Sequence, residues 1–185
     1  MNTNHTGKQI IEKLKKGNEA YIRSETAQVN VSSLIRKKTS EHGQEPYAVI
    51  LACADSRVIP EAIFSADLGD LMVVRIAGNV IDNHQLGSIE YAVNNLDVPL
   101  MLVLGHTRCG MIKAAINNMS MGYMKHIVEE VQKAIGDEKD DYKACKKNVI
   151  SSVEIIRKQL DMDDNHSCLV AGAIYDIESG KVEFL

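Results

Sequence analysis

No stretch of the 185-residue sequence is long and apolar enough to span a bilayer, so no helical membrane anchor is expected within it. Positive charge is not in excess, with 21 Lys and Arg against 25 Asp and Glu and a formal net charge of −4. That balance argues against a broad surface for nucleic acid or anionic membrane and favours a small, locally bound substrate. Internal repeats and low-complexity segments are missing, which leaves one compact domain as the simplest reading. No C-x-x-C pair occurs, so a dithiol redox motif is absent. Cysteine itself is scarce: Cys53, Cys109, Cys145 and Cys168 are too few for a disulfide framework and are expected as thiols in a reducing cytosol. The opening MNTNHTGKQIIEKLKKGNEAY lacks the apolar core and cleavage site of a secretory signal, and a cytoplasmic protein is expected.

What the sequence does contain is an ordinary globular composition, 45% hydrophobic and 25% charged, enough for one domain over residues 1–185 with a sizeable core. Residues 7–23 place Ile10, Ile11, Leu14, Ala20 and Tyr21 near helical spacing, so residues 1–30 read as an N-terminal helical arm. YAVILACA (47–54), LMVVRIA (71–77) and PLMLVLGH (99–106) are short apolar runs typical of strands buried on both faces of a parallel sheet. A helix with Ser88 as its cap is expected between the last two, and another begins after the third at CGMIK. A longer helix follows, with Cys145, Val149, Val153, Ile156 and Leu160 on one face, its start marked by the polar GDEKDDYK. Two strand-like runs around ESGK close the chain. This order predicts an α/β fold: a single domain with a central, mostly parallel sheet flanked by helices.

Binding sites in such sheets lie beyond the carboxyl ends of the strands, and two motifs converge there. Cys53 ends the first apolar run, and GHTRCG (105–110) ends another, supplying His106 and Cys109. Two thiolates and an imidazole suit Zn²⁺, and three protein ligands leave a fourth position for water. Asp55, two residues past Cys53, serves either as a fourth ligand or as an acceptor beside the metal, and Arg57 can grip its carboxylate at two points. Taken singly, a buried cysteine is usually a small hydrophobe, which is the reading for Cys145 and Cys168. His5, His42, His84, His126 and His166 lie in polar stretches and read as solvated.

CADSRVIPEAIF, GDLMVVRIAGN, GSIEYAV and GHTRCG, in this order and spacing, resemble the β-class carbonic anhydrases. The likeness extends to KLKKGNEAYI, GQEPYAVILAC and the terminal VAGAIYDIESGKVEFL, so it covers nearly the whole chain. It implies one zinc ion held by Cys53, His106 and Cys109, with Asp55 and Arg57 as a dyad beside it, and reversible hydration of carbon dioxide to bicarbonate. It further implies that Gln44 binds substrate or bicarbonate across a subunit interface, that the Gly110 N–H faces bicarbonate, and that Tyr91 lines the pocket. A homodimer or homotetramer follows, with an N-terminal helix reaching over the neighbour. The sequence departs from frequent family patterns at Met72, Ile76 and Arg108, and none of these removes a ligand or a dyad member. The family rests either with Asp55 paired to Arg57 or with the aspartate on zinc. The second form is linked to a bicarbonate pocket built partly from tryptophan, a residue this chain lacks, which favours the first.

Two other functions remain open at this point: hydrolysis of carbon disulfide or carbonyl sulfide at the same site, and a zinc-stabilised module without catalysis. The presence of both Asp55 and Arg57 speaks against the latter.

Overall fold

The computed structural model describes residues 5–24, 29–162 and 166–185. Among the described residues five strands form one sheet: β1 (Ala48–Ala52), β2 (Leu71–Arg75), β3 (Leu100–His106), β4 (Leu169–Tyr175) and β5 (Val182–Phe184), in the order β2-β1-β3-β4-β5. The first four run parallel, and β5 returns antiparallel along β4. Alternation along β1 and β3 sends Val49, Leu51, Met101 and Val103 to one core and Ala48, Ile50, Leu100 and Leu102 to the other. Helices α4 (Asn83–Leu96), α5 (Gly110–Ile116), α6 (Met124–Ile135) and α7 (Asp141–Gln159) close the first core, while α1 (Gly7–Arg23) and α3 (Pro60–Ile63) close the second. The expected α/β architecture, a mostly parallel sheet flanked by helices, is thus the one observed.

Helix α1 starts at a capping box between Thr6 and Gln9 and buries Ile10 and Leu14 on this chain's own sheet. Each such burial contributes about 1.5–3 kcal/mol, which docks a helix that would be marginal alone. Residues 1–4 and 25–28 of the expected arm lie outside the described residues. Helix α2 (Ser33–His42) buries none of its residues in this chain.

Two sequence expectations need correction. Strand β2 is not buried on both faces: it sits at the sheet edge, half-buried, with Arg75 exposed. Helix α4 is capped by Asp82 rather than Ser88, because Asp82 and Gln85 form a reciprocal capping box and start the helix earlier. Ser88 lies inside α4, its hydroxyl donating to the His84 carbonyl one turn back. The start of α7 does fall where GDEKDDYK put it, with the Asp140 carboxylate accepting from the Lys143 N–H at 2.9 Å.

Candidate metal centre

Parallel pairing places the ends of β1 and β3 side by side, with Ala52 opposite Leu104. Cys53 follows immediately, 3% exposed, and its Sγ accepts the Gly78 N–H at 3.2 Å. Gly78 belongs to a single 3-10 turn, Ala77–Asn79, after β2. Its φ of +68° favours glycine, and an added Cβ would stand a tight 3.1 Å from Met111 Cβ. Arg75 steadies the same stretch, donating to the carbonyls of Cys53 at 3.3 Å and Asp55 at 2.7 Å.

His106 is the last residue of β3 and is 1% exposed. Beyond it Thr107 is tied to β4, its N–H donating to the Tyr175 carbonyl at 3.0 Å and its hydroxyl to Asp176 at 3.0 Å. Arg108 then turns through the left-handed region at φ +56°, its N–H donating to Asp141 at 2.9 Å. This tight reversal delivers Cys109, 2% exposed, to the head of α5. The Arg108 side chain pairs with Glu178 rather than entering the site.

The donor atoms of Cys53, His106 and Cys109 lie within 4.8 Å of one another, and all three residues are buried. The two sulfurs are 3.9 Å apart, close to the ~3.8 Å edge of a tetrahedron with zinc–sulfur bonds of about 2.3 Å. His106 Nδ1 meets the Thr107 carbonyl at 3.0 Å, which leaves Nε2 buried without a partner. A buried acceptor in that position, beside two thiols, fits a cation. The Cys109 thiol, more than any other group, pulls the Cys53 pKa well below the thiol range, against the effect of burial. Cys109 is pushed upward, first by that same shared hydrogen bond and then by burial.

Asp55 and Arg57 form the bidentate pair, with Nε to Oδ1 at 2.9 Å and Nη2 to Oδ2 at 2.7 Å. The Arg57 N–H also donates to Oδ1 at 3.0 Å. These bonds, the side-chain ones foremost, hold the Asp55 carboxyl well below the usual carboxylate range. Arg57 Nη2 reaches further, to the Arg108 carbonyl at 3.2 Å, so it joins the two ligand-bearing loops. The ligand cluster does not include Asp55.

Comparison with known proteins bears on the same residues. A model of the carbonic anhydrase family matches residues 48–182. The β-class enzyme of Coccomyxa, solved with acetazolamide, superimposes with a TM-score of 0.68 at 25% identity, covering 84% of this chain and 86% of that one. The chain belongs to the β-class carbonic anhydrase family. Carbonic anhydrase 2 of Mycobacterium tuberculosis is 46% identical over 127 residues, 66% of this chain and 61% of the relative. The chain therefore spans about three fifths of that relative's length. The carbonic anhydrase of Pseudomonas aeruginosa is 30% identical over 166 residues, covering 77% of this chain and 74% of the relative.

The other residues implied by the β-carbonic anhydrase likeness are more dispersed. Gly110 opens α5 directly after Cys109, and its N–H is one of the first-turn amides that have no intrahelical partner. An added Cβ there would touch nothing, so the steric demand for glycine is absent in this chain alone. Tyr91 stands on α4, 47% exposed, and none of the hydrogen bonds that build the cluster includes it. Gln44 is exposed and precedes β1, at the opposite end of the strand from Cys53. The five residues of β1, Ala48–Ala52, lie between the two, an extended span of about 16 Å. A groove of about 770 Å³ lined by Lys13, Lys16, Tyr47 and Asp70 also lies at that far end and holds none of the ligand set.

Several contributors were not legible as such. Cys145, read as core packing, is buried and donates its thiol to the His106 carbonyl at 3.0 Å. Asn148 donates to the Gly78 carbonyl at 2.9 Å, Ser152 to the Asn79 carbonyl at 3.3 Å, and Asp141 accepts from Arg108. The only signal in the sequence is polar residues at helical spacing on an otherwise apolar face. Cys168 is buried at the far end of β4, away from the cluster.

Proposed function

We propose that this protein catalyses the zinc-dependent, reversible hydration of carbon dioxide to bicarbonate and a proton. The observation that carries the reading is a buried Cys53, His106 and Cys109 donor set beside a carboxylate gripped at both oxygens by an arginine. Cys53, His106 and Cys109 would hold zinc, which would supply Lewis-acid activation of water near neutral pH. Two thiolates donate more negative charge than neutral imidazoles, so values known for three-histidine carbonic anhydrase sites do not transfer.

Asp55 stays ionised across the working range and accepts a hydrogen bond from the attacking hydroxyl, which aims its lone pair at carbon dioxide. Arg57 fixes that carboxylate in one orientation and keeps it off the metal, supporting the arrangement with Asp55 paired at rest. The Gly110 N–H donates to the bicarbonate oxygen that develops negative charge, as oriented amides do for oxyanions. Tyr91 contributes to the wall against which carbon dioxide rests. The released proton passes to buffer.

Gln44 contributes the remaining donor from a second copy of the chain, a role supported by its place at the end of β1 opposite Cys53. The exposed α2, with Leu34 78% exposed, adjoins that segment, and both support a homodimer or homotetramer as the working unit. Among the described residues no helix is long and apolar enough to cross a membrane. Zinc binding needs Cys53 and Cys109 reduced, a state that the cytoplasm maintains.

Replacing Cys109 by alanine tests the reading. Zinc content and carbon dioxide hydration fall together if the cluster is the active site; hydration retained by zinc-free Cys109→Ala protein overturns it.

A further inference from the structure

Helix α7 carries four short polar side chains at positions 141, 145, 148 and 152, spaced four, three and four apart, which is one helical face. The face is otherwise apolar, with Ala144, Val149 and Ile156 fully buried. All four polar groups bond main-chain atoms of loops that bear the metal ligands or support them. Asp141 takes the Arg108 N–H, between His106 and Cys109, at 2.9 Å. Cys145 donates to the carbonyl of His106 itself at 3.0 Å. Asn148 donates to the Gly78 carbonyl at 2.9 Å, and Gly78 in turn donates its N–H to Cys53 Sγ at 3.2 Å. Ser152 donates to the next carbonyl, Asn79, at 3.3 Å.

Such short side chains reach the backbone only because α7 lies against β3 and β4 at two glycines. An added Cβ would stand 2.4 Å from Val149 Cγ2 at Gly105 and 2.7 Å from Val149 Cγ1 at Gly172. Gly105 immediately precedes His106, so the closest approach of helix to sheet falls at a ligand. Asn148 and Ser152 are 3% and 4% exposed, and a buried amide or hydroxyl on an apolar face is costly unless its partner is fixed. The partners here converge on one site from two separate chain segments, 78–79 and 106–108.

We propose that α7 is the positioning element of the metal centre: Asn148 sets Gly78 so that its N–H meets the Cys53 sulfur, and Cys145 sets the backbone of His106. This rests on the zinc reading above and adds residues outside the ligand set and the dyad. Both are positioning residues, acting on ligands through the main chain. Partners of this kind orient a ligand's lone pairs and modulate its charge, so their loss appears in metal affinity and in the ligand-to-metal spectrum.

The test compares wild type with Asn148→Ala, Cys145→Ala, Cys145→Ser and, as a packing control on the same helix, Ile156→Val. Zinc affinity is read by chelator competition, and the cobalt-substituted proteins give the sulfur-to-metal absorption. Asn148→Ala and Cys145→Ala each weaken zinc by about tenfold or more, the range typical of groups that hydrogen-bond to metal ligands. The cobalt band of Asn148→Ala shifts, because the Cys53 sulfur loses an aligned donor. Cys145→Ser keeps a donor and stays close to wild type, and Ile156→Val lowers thermal stability without moving zinc affinity. Wild-type zinc affinity and cobalt spectra in both alanine variants, or equal losses in Cys145→Ser and Cys145→Ala, overturn the proposal. If Asn148→Ala does not fold, the two Cys145 variants decide. A wild-type protein that fails to bind zinc through Cys53, His106 and Cys109 instead overturns the zinc reading itself, and this proposal with it.

Discussion

Replacing Gly105 by alanine measures how tightly α7 is seated on the sheet. Two terms oppose each other. Alanine in a strand interior is favoured over glycine by about 0.5–1 kcal/mol, because the unfolded chain loses less freedom. Against this, the new Cβ would lie 2.4 Å from Val149 Cγ2, a separation that real carbon pairs do not tolerate. Overpacking of a filled core costs about 1–3 kcal/mol, and the upper part of that range applies because Val149 is a stiff β-branched residue also pressed against Gly172. The net is a loss of about 2 kcal/mol, or about 4–8 °C in Tm for a domain of this size. Val149→Ala alone removes two buried methyl-sized groups and costs a further ~2 kcal/mol. In the double variant the clash is gone, so the losses do not add: about 2 kcal/mol of coupling is expected between sites in direct contact. Thermal and urea denaturation of the four proteins give the cycle. Gly105→Ala as stable as wild type, or strictly additive losses, would refute the close packing of helix on strand.

Three other outcomes are expected. The Asp55 carboxyl is depressed by Arg57, so the pair's contribution to stability is complete above the unfolded aspartate value near pH 4 and is lost as pH falls through the folded value below it. The urea midpoints of wild type and Arg57→Gln should therefore differ by a constant, small amount from pH 7 to 5 and converge on further acidification; a gap that widens in acid contradicts this. Mixing Gln44→Ala with Asp55→Asn subunits should regain activity, because a hybrid dimer has one site free of both defects. Random pairing makes about a quarter of all sites intact, and no recovery would contradict a Gln44 supplied across the interface. Cys145 and Cys168 are each pushed up to about 12, chiefly by burial. Mass spectrometry at pH 8 should find them unmodified by iodoacetamide in folded protein, with Cys53 and Cys109 labelled only after zinc is stripped.

How much of this was readable in advance depends on whether the signal is local. Strands β1 and β3 are near-continuous apolar runs because both their faces are covered, and they were legible as such. Strand β2 has the same composition yet sits at the edge, because strand order is a property of the whole sheet and not of the segment. Cys53, His106 and Cys109 were legible because each ends or follows a strand, where the parallel fold collects functional groups. The cap of α4 lies six residues before Ser88: Ser88 fits the apolar stripe, while the reciprocal pairing of Asp82 and Gln85 sets the true start. The contacts of α7 were not legible at all, since a buried Asn148 or Cys145 declares its partner only when the helix is laid on the sheet. Gln44 is a harder case, for the folded chain places it at the end of β1 opposite Cys53.

The central claim is tested most directly by stopped-flow carbon dioxide hydration from neutral to alkaline pH, on protein whose zinc content has been established. With Asp55 held by Arg57, hydration should be substantial near neutrality and proportional to bound zinc. Zinc-loaded oligomer that is inert across the whole range would contradict the assigned activity, and hydration appearing only at alkaline pH would contradict the resting arrangement of Asp55.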